Sequence, residues 1–127
     1  MYCFFLVTLA EAICYIMDFE SVLSNSHTKK YLKETIDTNR IAHAQLFVGE
    51  EGVGTLPMAI AYATELLCKT GDAHTAIKCA HLNHPDLHFA YPTAITTQVK
   101  DHPTSSAFLE QWRQFVLETP YGSLFDW

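Results

Sequence analysis

Apolar and polar positions recur along this chain with two periods, and the changes between them mark the elements. Leu32, Thr35 and Ile36 fall at helical spacing behind the polar Lys29, Lys30, Lys33 and Glu34. They predict a helix, with Asn25 or Ser26 as its N-cap and Asn39-Arg40 as its end. Next comes Ile41-Ala42-His43-Ala44-Gln45-Leu46-Phe47-Val48, an apolar run of strand length. It is apolar on both sides rather than alternating, which suits a buried parallel strand. A glycine-rich turn over residues 49–55 leads into a predicted helix over 56–68. Pro57 suits its first turn, where a missing N–H costs nothing. Ile60, Ala61, Ala63, Leu66 and Leu67 supply its apolar face. Residues 69–83 read as polar and irregular. His84-Pro85-Asp86 is a turn, and Leu87-His88-Phe89-Ala90-Tyr91 alternates as a second strand. After a long loop over 92–103, Ser105 or Ser106 caps a third helix lined on one face by Phe108, Leu109, Trp112, Phe115 and Val116. Thr119-Pro120-Tyr121-Gly122 stops it.

The order helix, strand, glycine turn, helix, strand, helix predicts an α/β fold with a parallel sheet flanked by helices. A pair of strands makes an incomplete sheet, and the chain closes on the apolar Phe125-Asp126-Trp127. Both features point to a fragment, or a truncated product, of a longer protein. With 127 residues, 49% of them apolar, the chain holds one domain with a real core, expected over residues 17–127. Residues 1–16 are apolar apart from Glu11 and lack the positive start of a signal peptide. They are also short for a membrane span. The preferred reading is an upstream leader with the natural start at Met17, outside the native domain. A membrane or export role is the alternative.

Charge narrows the function. The net charge is -6 with only 8 lysines and arginines, and no basic stripe is visible. A protein gripping nucleic acid through many phosphates is built differently. Near DNA, this chain is expected to act through protein partners. Cysteines at 3, 14, 68 and 79 are irregularly spaced, as expected for reduced thiols in the cytoplasm.

The candidate chemistry lies in the glycine turn. A phosphate loop is Gly-x-x-x-x-Gly-Lys-Ser/Thr between a strand and a helix. Its glycines let backbone N–H groups curl around the phosphates, its lysine reaches the outer phosphates, and its hydroxyl holds magnesium. Here Gly49, Gly52 and Gly54 shape the turn, with Gly49 and Gly54 at the required spacing. Thr55, however, takes the lysine position and Leu56 the metal-ligand position. Glu50 and Glu51 add negative charge, and a carboxylate about 4 Å from a phosphate oxygen costs roughly 1 kcal/mol even in water. The expected site is a degenerate phosphate loop, with no catalytic residue and no bound ATP. The plain alternative is a tight turn with no ligand.

Residues 39–49, Asn-Arg-Ile-Ala-His-Ala-Gln-Leu-Phe-Val-Gly, resemble the segment leading into the phosphate loop of bacterial DNA polymerase III clamp-loader subunits, which are AAA+ P-loop proteins. His84-Pro85-Asp86 resembles the approach to their second core strand. Phe108-Leu109-Glu110-Gln111-Trp112-Arg113 and the closing residues 120–127 are similar to the delta-prime branch, whose loop is degraded at the lysine. The resemblance covers about residues 17–127. It implies a non-hydrolysing subunit of the DNA polymerase III holoenzyme, a DNA-directed DNA polymerase and nucleotidyltransferase complex. That subunit supports sliding-clamp loading in DNA replication in the cytoplasm. Implied partners are the gamma/tau ATPase and delta, with the clamp and primed DNA reached through the complex and no membrane. Val22-Leu23-Ser24-Asn25 departs from the Val-x-Gly-Gln segment that shapes an adenine pocket in ATP-binding relatives.

Other constellations give rival readings. Many of those relatives carry a four-cysteine zinc module after the loop's helix. Cys68 and Cys79 lie there, and His74, His81 or His84 could complete a tetrahedral zinc site, although the spacing matches no known finger. Ordinary thiols and solvated histidines are the plainer reading, and the expected metal is none. His43 reads as a structural histidine and Trp112 as core rather than a base-stacking platform. The competing functions are an active P-loop ATPase whose lysine, Lys69 or Lys78, folds back from elsewhere, and a small zinc-binding module.

Overall fold

The structure, a computed structural model, describes residues 17–23, 26–97 and 99–127. The leader over 1–16, the candidate N-cap Asn25 and the Ser24-Asn25 half of the adenine-pocket departure lie outside these residues. The described elements are helices: α1 (Ser26–Asp37), α2 (Thr55–Thr70), α3 (Thr75–Ala80), a 3-10 turn (Ser105–Phe108) and α4 (Leu109–Glu118).

The expected parallel sheet is not there: no strand forms among the described residues. Residues 41–48 run without regular structure, mostly exposed, with Leu46 at 88% and Val48 at 81%. Residues 87–91 pack their side chains against α4 instead of pairing their backbone. An apolar run becomes a strand only when a neighbouring backbone takes its N–H and C=O groups. Neither segment offers itself to the other. The buried-strand setting expected for His43 fails with it, and His43 is exposed.

The helices follow the sequence more closely. Helix α1 buries Leu32 and Ile36. It ends in a Schellman turn: Asn39 adopts φ 55°, its N–H donates to Ile36 O (3.1 Å), and Arg40 N–H donates to Thr35 O (2.9 Å). Helix α2 is longer than expected by a residue at the start and two at the end. It is buried on two sides. Met58, Ala61 and Tyr62 join Phe19, Val22, Leu32 and Ile36 in one cluster, with Phe47 and Leu66 against it. Ile60 joins Met17, Leu82, Trp112 and Val116 in a second. Each such side chain taken from water contributes about 1.5–3 kcal/mol, so α2 is the hub that ties the halves together.

Helix α3 interrupts the stretch read as irregular. Asp72 starts it: its Oδ1 accepts from His74 N–H (2.9 Å) and Thr75 Oγ1 (3.3 Å). Those bonds, the His74 N–H first, hold the Asp72 carboxyl below its ordinary value. A second Schellman turn ends it with Leu82 at φ 52°, Leu82 N–H on Cys79 O and Asn83 N–H on Lys78 O, both at 2.9 Å. Leucine is a poor left-handed residue, but this one is 1% exposed in the second cluster, and its burial offsets that strain.

In the second cluster Tyr91 stacks on Trp112 with ring centres 4.2 Å apart and planes 10° from parallel. Trp127 meets both rings edge-on and donates from Nε1 to Pro92 O (2.8 Å). Trp112 is core, as its helical face implies. Ser105 and Ser106 sit inside the first turn of the last helical stretch rather than capping it; Thr104 precedes them in extended conformation.

Candidate functional site

The glycine turn holds its glycines close to its own side chains. Gly52 (φ 76°) and Gly54 (φ 90°) take left-handed conformations that other residues resist. A Cβ on Gly49 would meet Val53 Cγ2 at 2.7 Å and Thr55 Cγ2 at 2.8 Å. The methyls of Val53 and Thr55 thus fold across the turn onto Gly49. Val53 N–H turns inward to Glu50 O (3.4 Å). Glu50 and Glu51 point into solvent.

The positions that carry chemistry in an active loop serve packing. Leu56, where a magnesium-holding hydroxyl belongs, lies against the Trp112 cluster. Thr55 opens α2. Lys69 lies 14 residues further along the same helix, about 21 Å away at 1.5 Å per residue. Its Nζ donates to Ile36 O at the end of α1.

A residue the sequence did not single out completes the site. The ring of Tyr121 lies where a Cβ on Gly54 would be, 2.8 Å from its Cε1. Its hydroxyl accepts from Leu23 N–H (2.6 Å). Tyr121 therefore pins the end of the chain and the segment before α1 onto the last glycine of the turn. A contact spanning 98 residues leaves no local signal. Only the absence of a Cβ at Gly54 could have hinted at a close neighbour.

Beside the turn lies an open cleft of about 450 Å³, lined by Thr28 and Tyr31 of α1, residues 45–48, and Val53, Gly54 and Thr55. It brings together Gly54 and Thr55 of the predicted site. Gly49, Gly52 and Leu56 stay out of it, and no lysine or arginine lines it. Gln45 Nε2 donates to Tyr62 Oη (2.7 Å), which also meets Thr35 Oγ1 (3.3 Å). This polar tie fixes the cleft wall.

Cys68 and Cys79 do come together, from α2 and α3, as free thiols. Burial pushes both thiols up; Glu65 adds to the rise at Cys68, and Cys68 itself adds to it at Cys79. Thiols held protonated are poor nucleophiles and poor metal ligands. Among the described residues no group of three or more His, Cys, Asp or Glu gathers that could hold a metal. His84 serves its turn, with Nδ1 accepting from Asp86 N–H (3.2 Å). No described helix is long and apolar enough to cross a membrane.

Comparison with known proteins agrees with the residues that shaped this reading. Residues 24–122 match the family described as DNA polymerase III, delta subunit. The DNA polymerase III subunit delta' of Bacillus subtilis (strain 168) is 34% identical over 73 residues, covering 53% of this chain and 22% of that protein. The chain thus spans about a fifth of the length of the curated relative it matches. No solved structure matches it. A family match that takes in the glycine turn, Tyr121 and every described helix leads to one conclusion: this chain belongs to the DNA polymerase III delta subunit family and is delta-prime-like within it.

Proposed function

We propose that this chain works as a non-hydrolysing, delta-prime-like element of a clamp loader in the cytoplasm, supporting the loading of a sliding clamp during DNA replication. Its neighbours would be the gamma/tau ATPase and delta, with clamp and primed DNA reached through the assembly. The observation that carries the reading is the loop itself. It keeps the glycine spacing, yet Leu56 is committed to the core and the Val53 and Thr55 methyls close over Gly49. Such a loop offers a fixed surface and no motor, because it lacks the lysine and the metal-holding oxygen that neutralise transferring phosphates. The rival reading, an ATPase with a lysine borrowed from elsewhere, is disfavoured by Lys69, which is engaged at the Ile36 carbonyl.

The test is reconstitution. Added to gamma/tau and delta, the chain is expected to contribute no ATP turnover of its own, and by itself it is not expected to assemble the loader. Measured alone with magnesium, it releases no phosphate from ATP. Turnover by the isolated chain, lost on Lys69→Ala, would support the ATPase reading instead.

A further inference from the structure

We propose that a second cleft, between the turn after α3 and the start of the last helical stretch, binds the phosphate group of a small ligand. This cleft encloses about 410 Å³, and its polar lining is Asn83, His84, His88, Ser105, Ser106 and Arg113. No carboxylate lines it, although the chain as a whole carries a net charge of -6. The local sign is therefore opposite to the global one.

Three kinds of donor line the cleft. Arg113 is held in place by its Nε, which donates to Leu82 O (2.8 Å). That bond orients the guanidinium and leaves its two terminal nitrogens for an oxyanion, the geometry in which arginine grips phosphate as a fork. The His84 side chain is only 10% exposed. Its Nδ1 accepts from Asp86 N–H (3.2 Å), so the ring proton resides on Nε2, a donor with no protein acceptor among the described residues. Asp86 stands on the Nδ1 edge of the ring, its carboxylate 3.9 Å from that atom and 78% exposed. The third donor set is the opening of the last helical stretch. Ser105–Phe108 runs directly into α4, and Thr104 provides no side-chain cap. The first amide with a backbone acceptor there is Ala107 N–H, on Thr104 O (3.0 Å). The Ser105 and Ser106 amides at a helix N-terminus are matched to an anion, and the Ser106 hydroxyl, paired only with Thr104 Oγ1 at 3.1 Å, is free to turn toward it.

A tetrahedral phosphate is a ligand that each of these donors takes: an arginine fork, an imidazole N–H and helix-start amides. The same chemistry comes from inorganic phosphate or from a phosphate monoester such as a nucleoside monophosphate. A nucleic-acid strand is disfavoured, because a chain with 14 acidic against 8 basic residues repels a long polyanion.

The experiment is amide and guanidinium NMR on the whole 127-residue chain, titrated at constant ionic strength with inorganic phosphate, a nucleoside monophosphate, chloride and a single-stranded oligonucleotide. Saturable shifts at Ser105, Ser106 and Arg113 Nε–H are expected with both phosphate ligands and not with chloride. Tighter binding of the monophosphate would identify the ester as the source; equal affinity would identify the phosphate group alone. Arg113→Gln is expected to weaken binding at least tenfold. Because that change also removes the Leu82 tie, His88→Glu, at an exposed position, is the second variant. It is expected to abolish the shifts with the melting temperature unchanged. Absent or chloride-like shifts, shifts indifferent to both variants, or preference for the oligonucleotide would each overturn the proposal.

Discussion

Two apolar segments flank the central helix, and the same kind of sequence meets opposite fates in them. Residues 41–48 stay largely in water, with Leu46 and Val48 among the most exposed large apolar side chains of the described residues. Residues 87–91 lie against α4, where Leu87, Phe89 and Tyr91 pack on the Trp112 cluster and the Tyr91 hydroxyl donates to Ser105 O (2.5 Å). The difference is the partner. Three side chains of the second segment find the Trp112 cluster to pack on, whereas of the first segment only Phe47 finds a neighbouring cluster, against Tyr62. Apolarity alone did not decide burial; the available neighbour did.

That contrast can be broken at the docked segment. Trp112→Ala removes the ring on which Tyr91, Phe89 and Trp127 rest. It is expected to cost about 3–5 kcal/mol, read as a fall in the denaturation midpoint. A loss below about 1 kcal/mol would mean that the segment is not docked in solution. Gly54→Ala probes the junction between the two halves. It places a Cβ against the Tyr121 ring at φ 90°, and a cost of about 1–3 kcal/mol is expected. The double variant with Tyr121→Ala should recover the share due to the clash, and failure to recover any of it would put Tyr121 elsewhere.

Acid sharpens the comparison, since a carboxylate turn lies beside the docked segment. The Ser123 N–H (2.7 Å) and hydroxyl (2.9 Å) both donate to Asp126 Oδ2, and these bonds hold Asp126 below its ordinary 3.8. A carboxyl depressed in the folded state contributes fully above its unfolded value. That contribution fades as pH falls through the lower, folded one. Near-ultraviolet dichroism of the tryptophans should therefore weaken at acid pH below 3.8, and Asp126→Asn should show the weakened signal already at neutral pH. The smallest effect belongs to the exposed segment. Leu46→Lys is expected to change stability by no more than about 0.5 kcal/mol, and a larger loss in the denaturation midpoint would show that residues 41–48 are covered after all.

The helices were legible because their signals are local. Asn39 supplies a left-handed stop, Gly54 and Pro57 mark the start of α2, and Trp112 and Val116 share one buried face. Helix α3 was hidden because six residues are too few for a period to show, and its stop is a leucine rather than glycine or asparagine. The sheet was misread because a strand is defined by its partner, which the sequence of one segment does not contain. At the site, the glycine spacing and the identities of Thr55 and Leu56 were legible. What replaces it, the folded-over methyls and the Tyr121 contact, is tertiary and has no sequence signature.

The most direct test of the account is calorimetric titration of the 127-residue chain with ATP in the presence of magnesium. A turn with the Val53 and Thr55 methyls against Gly49, and with Leu56 packed against the Trp112 cluster, predicts no saturable, magnesium-dependent heat at micromolar nucleotide. A saturating isotherm that disappears when magnesium is removed and when Gly54 is replaced by alanine would contradict it.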